Sequence, residues 1–168
     1  SLPYRIAHIN DQSDSSPMLV VWLHGGHSCG EDNSTHIGDN YGAVARLSVY
    51  LQSNNSNAIL VAPHLNEDMR NNTTAATVAL CRLIDHLIVS QGIDPMRVYL
   101  IGASFGGMMA TKVASARPDI PAAVEIIGTV PHIETPVPAQ FAVCCVASDA
   151  DNPRKFEHTT EQMLSLQE

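Results

Sequence analysis

Five short, non-alternating apolar runs constrain this chain more than any other feature. They cover residues 18–23, 58–62, 98–101, 122–127 and 141–147, with helical stretches between most of them. A strand with one wet face alternates apolar and polar residues, whereas a strand apolar at every position is covered on both faces. Such strands, linked by helices, bury both faces as a mainly parallel sheet with helices on either side. The helical pattern is clearest over residues 73–90, where Val78, Cys81, Ile84, Leu87 and Ile88 recur at intervals of three and four and Gly92 is placed as a C-terminal cap. Residues 41–51, with Val44, Leu47 and Leu51 on one stripe, and residues 105–116, stopped by Pro118, also read as helices. Residues 4–9 alternate loosely, and residues 27–40, rich in Gly, Ser, Asn and Asp, read as loop. No repeat, low-complexity tract or linker interrupts the pattern, and 168 residues is a single-domain length. One α/β domain over residues 1–168 is expected.

Composition narrows the partners. Hydrophobic residues make up 45% of the chain and charged residues only 15%, which excludes a disordered polymer. Nine Lys and Arg against 17 Asp and Glu leave a net charge of −8, and no basic cluster stands out, so nucleic acid is not an expected partner. No run approaches 18 consecutive apolar residues, so no membrane span is expected. The N-terminus lacks a basic stretch followed by an apolar run, a pattern shared by cytoplasmic chains and by secreted chains after processing. Sequons at Asn33, Asn54, Asn71 and Asn72 permit glycosylation, and the compartment stays open. Cys29, Cys81, Cys144 and Cys145 match neither a zinc spacing nor a disulfide framework, and the last two are expected as free thiols in a buried strand. Nothing in the sequence specifies an oligomeric state.

The chemistry lies at the ends of the apolar runs. Gly102-Ala103-Ser104-Phe105-Gly106 has the form G-x-S-x-G and falls between a strand and a helix. A sharp strand-to-helix turn there would project the Ser104 hydroxyl above the sheet, with the Phe105 backbone N–H beside any oxyanion that forms. His24-Gly25-Gly26 ends an earlier strand, where a second oxyanion donor is needed, and Gly26 or His27 would supply that N–H. Either motif alone could be a glycine turn; the two in this order form a serine-hydrolase pattern.

Taken together, these motifs resemble the α/β-hydrolase superfamily. More narrowly, residues 92–100 and 102–110, continuing through Arg117-Pro118-Asp119 and Ala122-Ala123-Val124, look like the esterases related to polyhydroxybutyrate depolymerases and feruloyl esterases. The resemblance implies a three-layer α/β-hydrolase-like fold. It also implies hydrolysis of a small-molecule carboxylic ester by a Ser–acid–His triad, with no metal or organic cofactor and Ser104 as nucleophile. The acid is expected after the run 141–147, with Asp151 fitting the family's Asp-Pro loop better than its rival Asp149. The last strand of such a fold, and the loop that usually bears its His, do not appear within the chain. His158, seven residues past Asp151, is the sole histidine after the acid. His24, His64 and His132 each follow a strand at the same edge as Ser104, as candidate substrate-lining groups; His24 fits better as a hydrogen-bonding support of the oxyanion loop, and His64 either lines the pocket or ends a strand. His132, with Glu134 close behind, also offers an unconventional partner for Ser104. These histidines come from separate loops without close spacing, so no metal site is expected. The same residues also fit a non-catalytic relative that binds a ligand, or an inactive portion of a longer esterase.

Overall fold

A computed structural model describes residues 2–11, 15–129 and 142–146, with the side chains of residues 39–41 excepted. The described residues form a six-stranded sheet: β1 (Tyr4–Ile9), β2 (Met18–Leu23), β3 (Ala58–Pro63), β4 (Val98–Ala103), β5 (Ala123–Ile127) and β6 (Ala142–Val146). In space the order is β1-β3-β2-β4-β5-β6, antiparallel only between β1 and β3. The mainly parallel sheet expected from the apolar runs is present. Loosely alternating β1 takes the edge, where it pairs from Tyr4 with Pro63 to Ile9 with Ala58.

Each strand's side chains divide between two cores, as the pleat requires. On one face Leu19, Val21, Leu23, Ile59, Val61, Leu100, Val124 and Ile126 pack with helices α3 (Thr73–Ser90) and α4 (Phe105–Ala116). On the other, Val20, Ala58 and Leu60 pack with Leu51, Val44 and Leu47 of helix α1 (Thr35–Ser53). Burying one such aliphatic side chain contributes roughly 1.5–3 kcal/mol. By length and composition α3 could cross a membrane. Its stripe of Ala76, Leu80, Leu83, Ile84 and Leu87 is instead buried in the core.

Two local expectations are corrected. Helix α1 starts at Thr35, inside the stretch read as loop. Asp32 starts it: its carboxylate accepts the N–H groups of Ser34 and Thr35 at 2.9 and 3.0 Å. The apolar stripe becomes regular only beyond Gly42, whose φ of 71° interrupts the helical geometry. A second, five-residue helix, α2 (Glu67–Asn71), was also not foreseen; the Asn66 side chain caps it by accepting from the Met69 N–H. The other correction concerns β6, expected to be covered on both faces. It is the edge strand of the described sheet, and Cys144 is exposed, though both of its cysteines are free thiols.

The topology sets where a ligand could bind. From β2 the chain crosses outward to β3 by way of α1, then returns over the opposite face through α3 to β4. Connections therefore leave β2 and β4 in opposite directions, and a crevice forms outside their carboxyl ends.

Candidate active site

Ser104 stands at that crevice. It is the residue between β4 and α4, its side chain is exposed, and its backbone is held at φ 52°, ψ −115°. A non-glycine residue in such a conformation stores about 1–3 kcal/mol, so the surrounding turn must over-determine it. Gly102 and Gly106 do so. A methyl group on Gly102 would meet the Gly106 carbonyl and lie 2.6 Å from the Gly107 nitrogen, so only hydrogen lets strand and helix close this tightly. The Ser104 N–H donates to the Ile127 carbonyl at 2.8 Å, which ties the turn to β5. Phe105 opens α4, so its N–H lacks a partner within the helix and lies at the positive end of the helix dipole.

The second half is the turn that leaves β2. Gly26–Ser28 form one turn of 3₁₀ helix, closed by the Ser28 N–H donating to Gly25 O at 3.0 Å. Gly26 and His27 are its first two residues, whose N–H groups no intrahelical carbonyl can accept. His27 is exposed, and Gly26 is partly so. The two halves touch directly. A methyl group on Gly106 would strike the Leu23 carbonyl and sit 2.7 Å from that of His24, so α4 packs backbone to backbone against the end of β2. On the outer side of the turn, the Arg70 guanidinium lies 3.3 Å from where a Gly26 Cβ would stand.

His24 and His64 do not line an open pocket. They are 0% and 1% exposed, and both rings are bonded to the backbone. His24 Nε2 accepts the Leu65 N–H at 2.9 Å, which leaves Nδ1–H to donate to Gly25 O, also at 2.9 Å. His64 Nδ1 accepts the Asn33 N–H, and its Nε2–H donates to Ser28 O, each at 2.9 Å. A third ring, His36, had no sequence signal, because the stretch that holds it reads as loop. It is 0% exposed, stacks on His64 at 4.2 Å between centroids, and donates from Nε2 to Ala62 O at 2.9 Å. Among the described residues its buried Nδ1 has no hydrogen-bond partner. Burial, foremost, pushes the His36 pKa down to about 4. Among the described residues, no cluster of His, Cys, Asp and Glu could hold a metal ion. His132, Asp149, Asp151 and His158 lie outside the described residues.

The architecture recurs among solved proteins. A thermostable esterase superposes on 98% of the chain with a TM-score of 0.80 at 22% identity, the match covering 48% of that protein. The chain has an α/β-hydrolase fold. The same hydrolase fold is shared with esterase PE8, at TM-score 0.70 and 18% identity over 99% of this chain and 83% of that one. It is shared too with a carboxylesterase from Mesorhizobium loti, at TM-score 0.67 and 17% identity over 98% and 79%. By sequence, the chain is 29% identical over 148 residues to the protein named "Putative esterase NocK" from Nocardia uniformis subsp. tsuyamanensis. That match takes in 86% of this chain and 42% of the relative, so the chain spans less than half the length of this relative and of the thermostable esterase. No protein-family model matches. Within the hydrolase fold, the crevice between β2 and β4 is where the two glycine turns meet.

Proposed function

We propose that this chain carries the nucleophile-bearing part of a serine esterase, which cleaves small-molecule carboxylic esters by acyl transfer to water. The observation that carries the reading is the exposed Ser104 held at φ 52° on the β4–α4 turn, with the first N–H groups of α4 and of the Gly26 turn left without an acceptor inside their own helices. Ser104 Oγ attacks the ester carbonyl, and the negative charge that develops on its oxygen falls between the N–H groups of Phe105 and of Gly26 or His27. Fixed donors at that point act without reorganisation, each accounting for about 10²–10³ in rate. The triad acid is Asp151 or Asp149. The base that takes the Ser104 proton and returns it to the leaving alcohol is His158, or His132 in an unconventional pairing. The esterase names of the relative and of the structural neighbours reported above support an ester substrate.

A fluorophosphonate probe tests this reading, because it reacts only with a serine whose proton a base removes. Peptide mass spectrometry of the treated chain should place the adduct on Ser104, and Ser104→Ala should abolish it. A folded chain that stays unlabelled would overturn the reading that these residues form an active hydrolase, and leave a ligand-binding relative or an inactive portion of a longer esterase.

A further inference from the structure

We propose that the buried His24–His36–His64 cluster is a latch that sets the direction of the Gly26 N–H, with His24 as the positioning residue for the oxyanion donor. The proposal rests on the esterase reading for its catalytic consequence, but the geometry stands by itself. Gly25 C=O and Gly26 N–H belong to one trans peptide, which is planar, so the two groups point in opposite directions. Gly25 O is turned inward, where it accepts from both His24 Nδ1–H at 2.9 Å and the Ser28 N–H at 3.0 Å. The Gly26 N–H is thereby turned outward, toward the side on which Gly26 and His27 meet solvent. If this peptide flipped, a carbonyl oxygen would face the developing oxyanion and repel it.

The other two rings keep His24 in place. A neutral His24 donates from Nδ1 only while its Nε2 is bare, and the Leu65 N–H, which needs an acceptor there, enforces that tautomer. Leu65 also accepts the Gly30 N–H at 3.2 Å, so the segment after β3 is bonded to both ends of the turn. His64, one residue earlier, holds the far end through Ser28 O, and its ring packs against Gly30. His36 lies flat on His64, with an interplanar angle of 13°, and is fixed to β3 through Ala62 O. His24 closes the group, its centroid 5.5 Å from that of His64 and 5.7 Å from that of His36. Three neutral imidazoles from β2, α1 and the end of β3 thus direct one peptide bond.

Long-range ¹H–¹⁵N spectra of the full chain at neutral pH read the ring tautomers without any variant. His24 is expected as the Nδ1–H form, with His36 and His64 as Nε2–H forms. A His24 ring protonated at Nε2 would overturn the latch, since it could neither accept from Leu65 nor donate to Gly25. Kinetics supply the second arm. His24→Phe keeps the ring volume but loses the donor, and kcat for ester hydrolysis should fall about a hundredfold with KM within roughly twofold. His24→Asn, whose side-chain amide can donate to Gly25 O, should recover most of that loss. Equal losses in the two variants, or a change confined to KM, would also overturn the proposal. If His24→Phe does not fold, the tautomers decide alone. If the wild-type chain hydrolyses no ester, the esterase reading fails while the spectra still decide the latch.

Discussion

At the scale of single residues, Ser104 is where the chain spends backbone energy for chemistry. Its φ of 52° suits glycine, and nothing about a serine side chain favours it; its hydroxyl does not cap the helix that it precedes. Replacing the serine should therefore give different stabilities according to the substitute. Ser104→Gly relieves the strain, whereas Ser104→Ala removes the same hydroxyl and keeps it. The glycine variant should be the more stable of the two by about 1 kcal/mol, or roughly 2–4 °C in Tm, as thermal melts of the two proteins would show. Equal melting points would mean that the turn is relaxed. Gly25-Gly26 is a different kind of position. Gly25 sits in extended backbone at φ −70°, where any residue fits. What the pair provides is closeness, since Arg70 packs on Gly26 where a side chain would be.

At the scale of elements, the decisive contact is between α4 and β2. Gly106→Ala would push a methyl group into the carbonyls of Leu23 and His24, which are backbone atoms of a central strand and cannot rotate aside. Overpacking usually costs 1–3 kcal/mol, and a clash with a strand backbone belongs at or above the top of that range, so we expect about 3 kcal/mol. Urea unfolding should show a lower midpoint with an unchanged slope. How far each element could be read from the chain follows from the range of the forces that make it. The strands and the Ser104 turn were legible because apolar runs and G-x-S-x-G are local patterns. The start of α1 was not, because Asp32 and Ser34 look the same whether they cap a helix or populate a loop. The histidine cluster was least legible of all. Apart from the His24–Gly25 bond, its bonds join residues 26 to 41 positions apart, and those residues meet only once β3 lies beside β2. His24 was legible at its strand end as a hydrogen-bonding support of the turn after β2, whereas His64, read as lining a pocket or ending a strand, is buried and bonded to that same turn.

At the scale of the whole molecule, His36 makes the fold sensitive to acid. His36 titrates near 6.5 in an unfolded chain and at about 4 in this one, first because of burial and then through the neighbouring His64 and His24 rings; its bond to Ala62 and the Asp32 carboxylate oppose the shift. Between those two values the unfolded state binds the proton and the native state does not, so stability rises with pH across the interval. It is lost as pH falls from 6.5 toward 4. Asp32 does not contribute in that window: the Thr35 hydroxyl and the N–H groups of Ser34 and Thr35 hold its carboxyl well below the usual range, so its share is lost only at lower pH. Urea midpoints should therefore drop between neutral pH and about pH 5, and His36→Leu should flatten the dependence across that span. An unchanged midpoint would mean that water reaches the rings. The sheet that holds the rings also holds the proposed nucleophile Ser104, and at Gly106 helix α4 meets the end of β2 with no side chain between them. That bare seam divides what may drift from what may not. On the proposed esterase reading, loops around the rim are free to be exchanged for new acyl groups, while the spacing between the Ser104 turn and the Gly26 turn stays fixed by the backbone contact at Gly106.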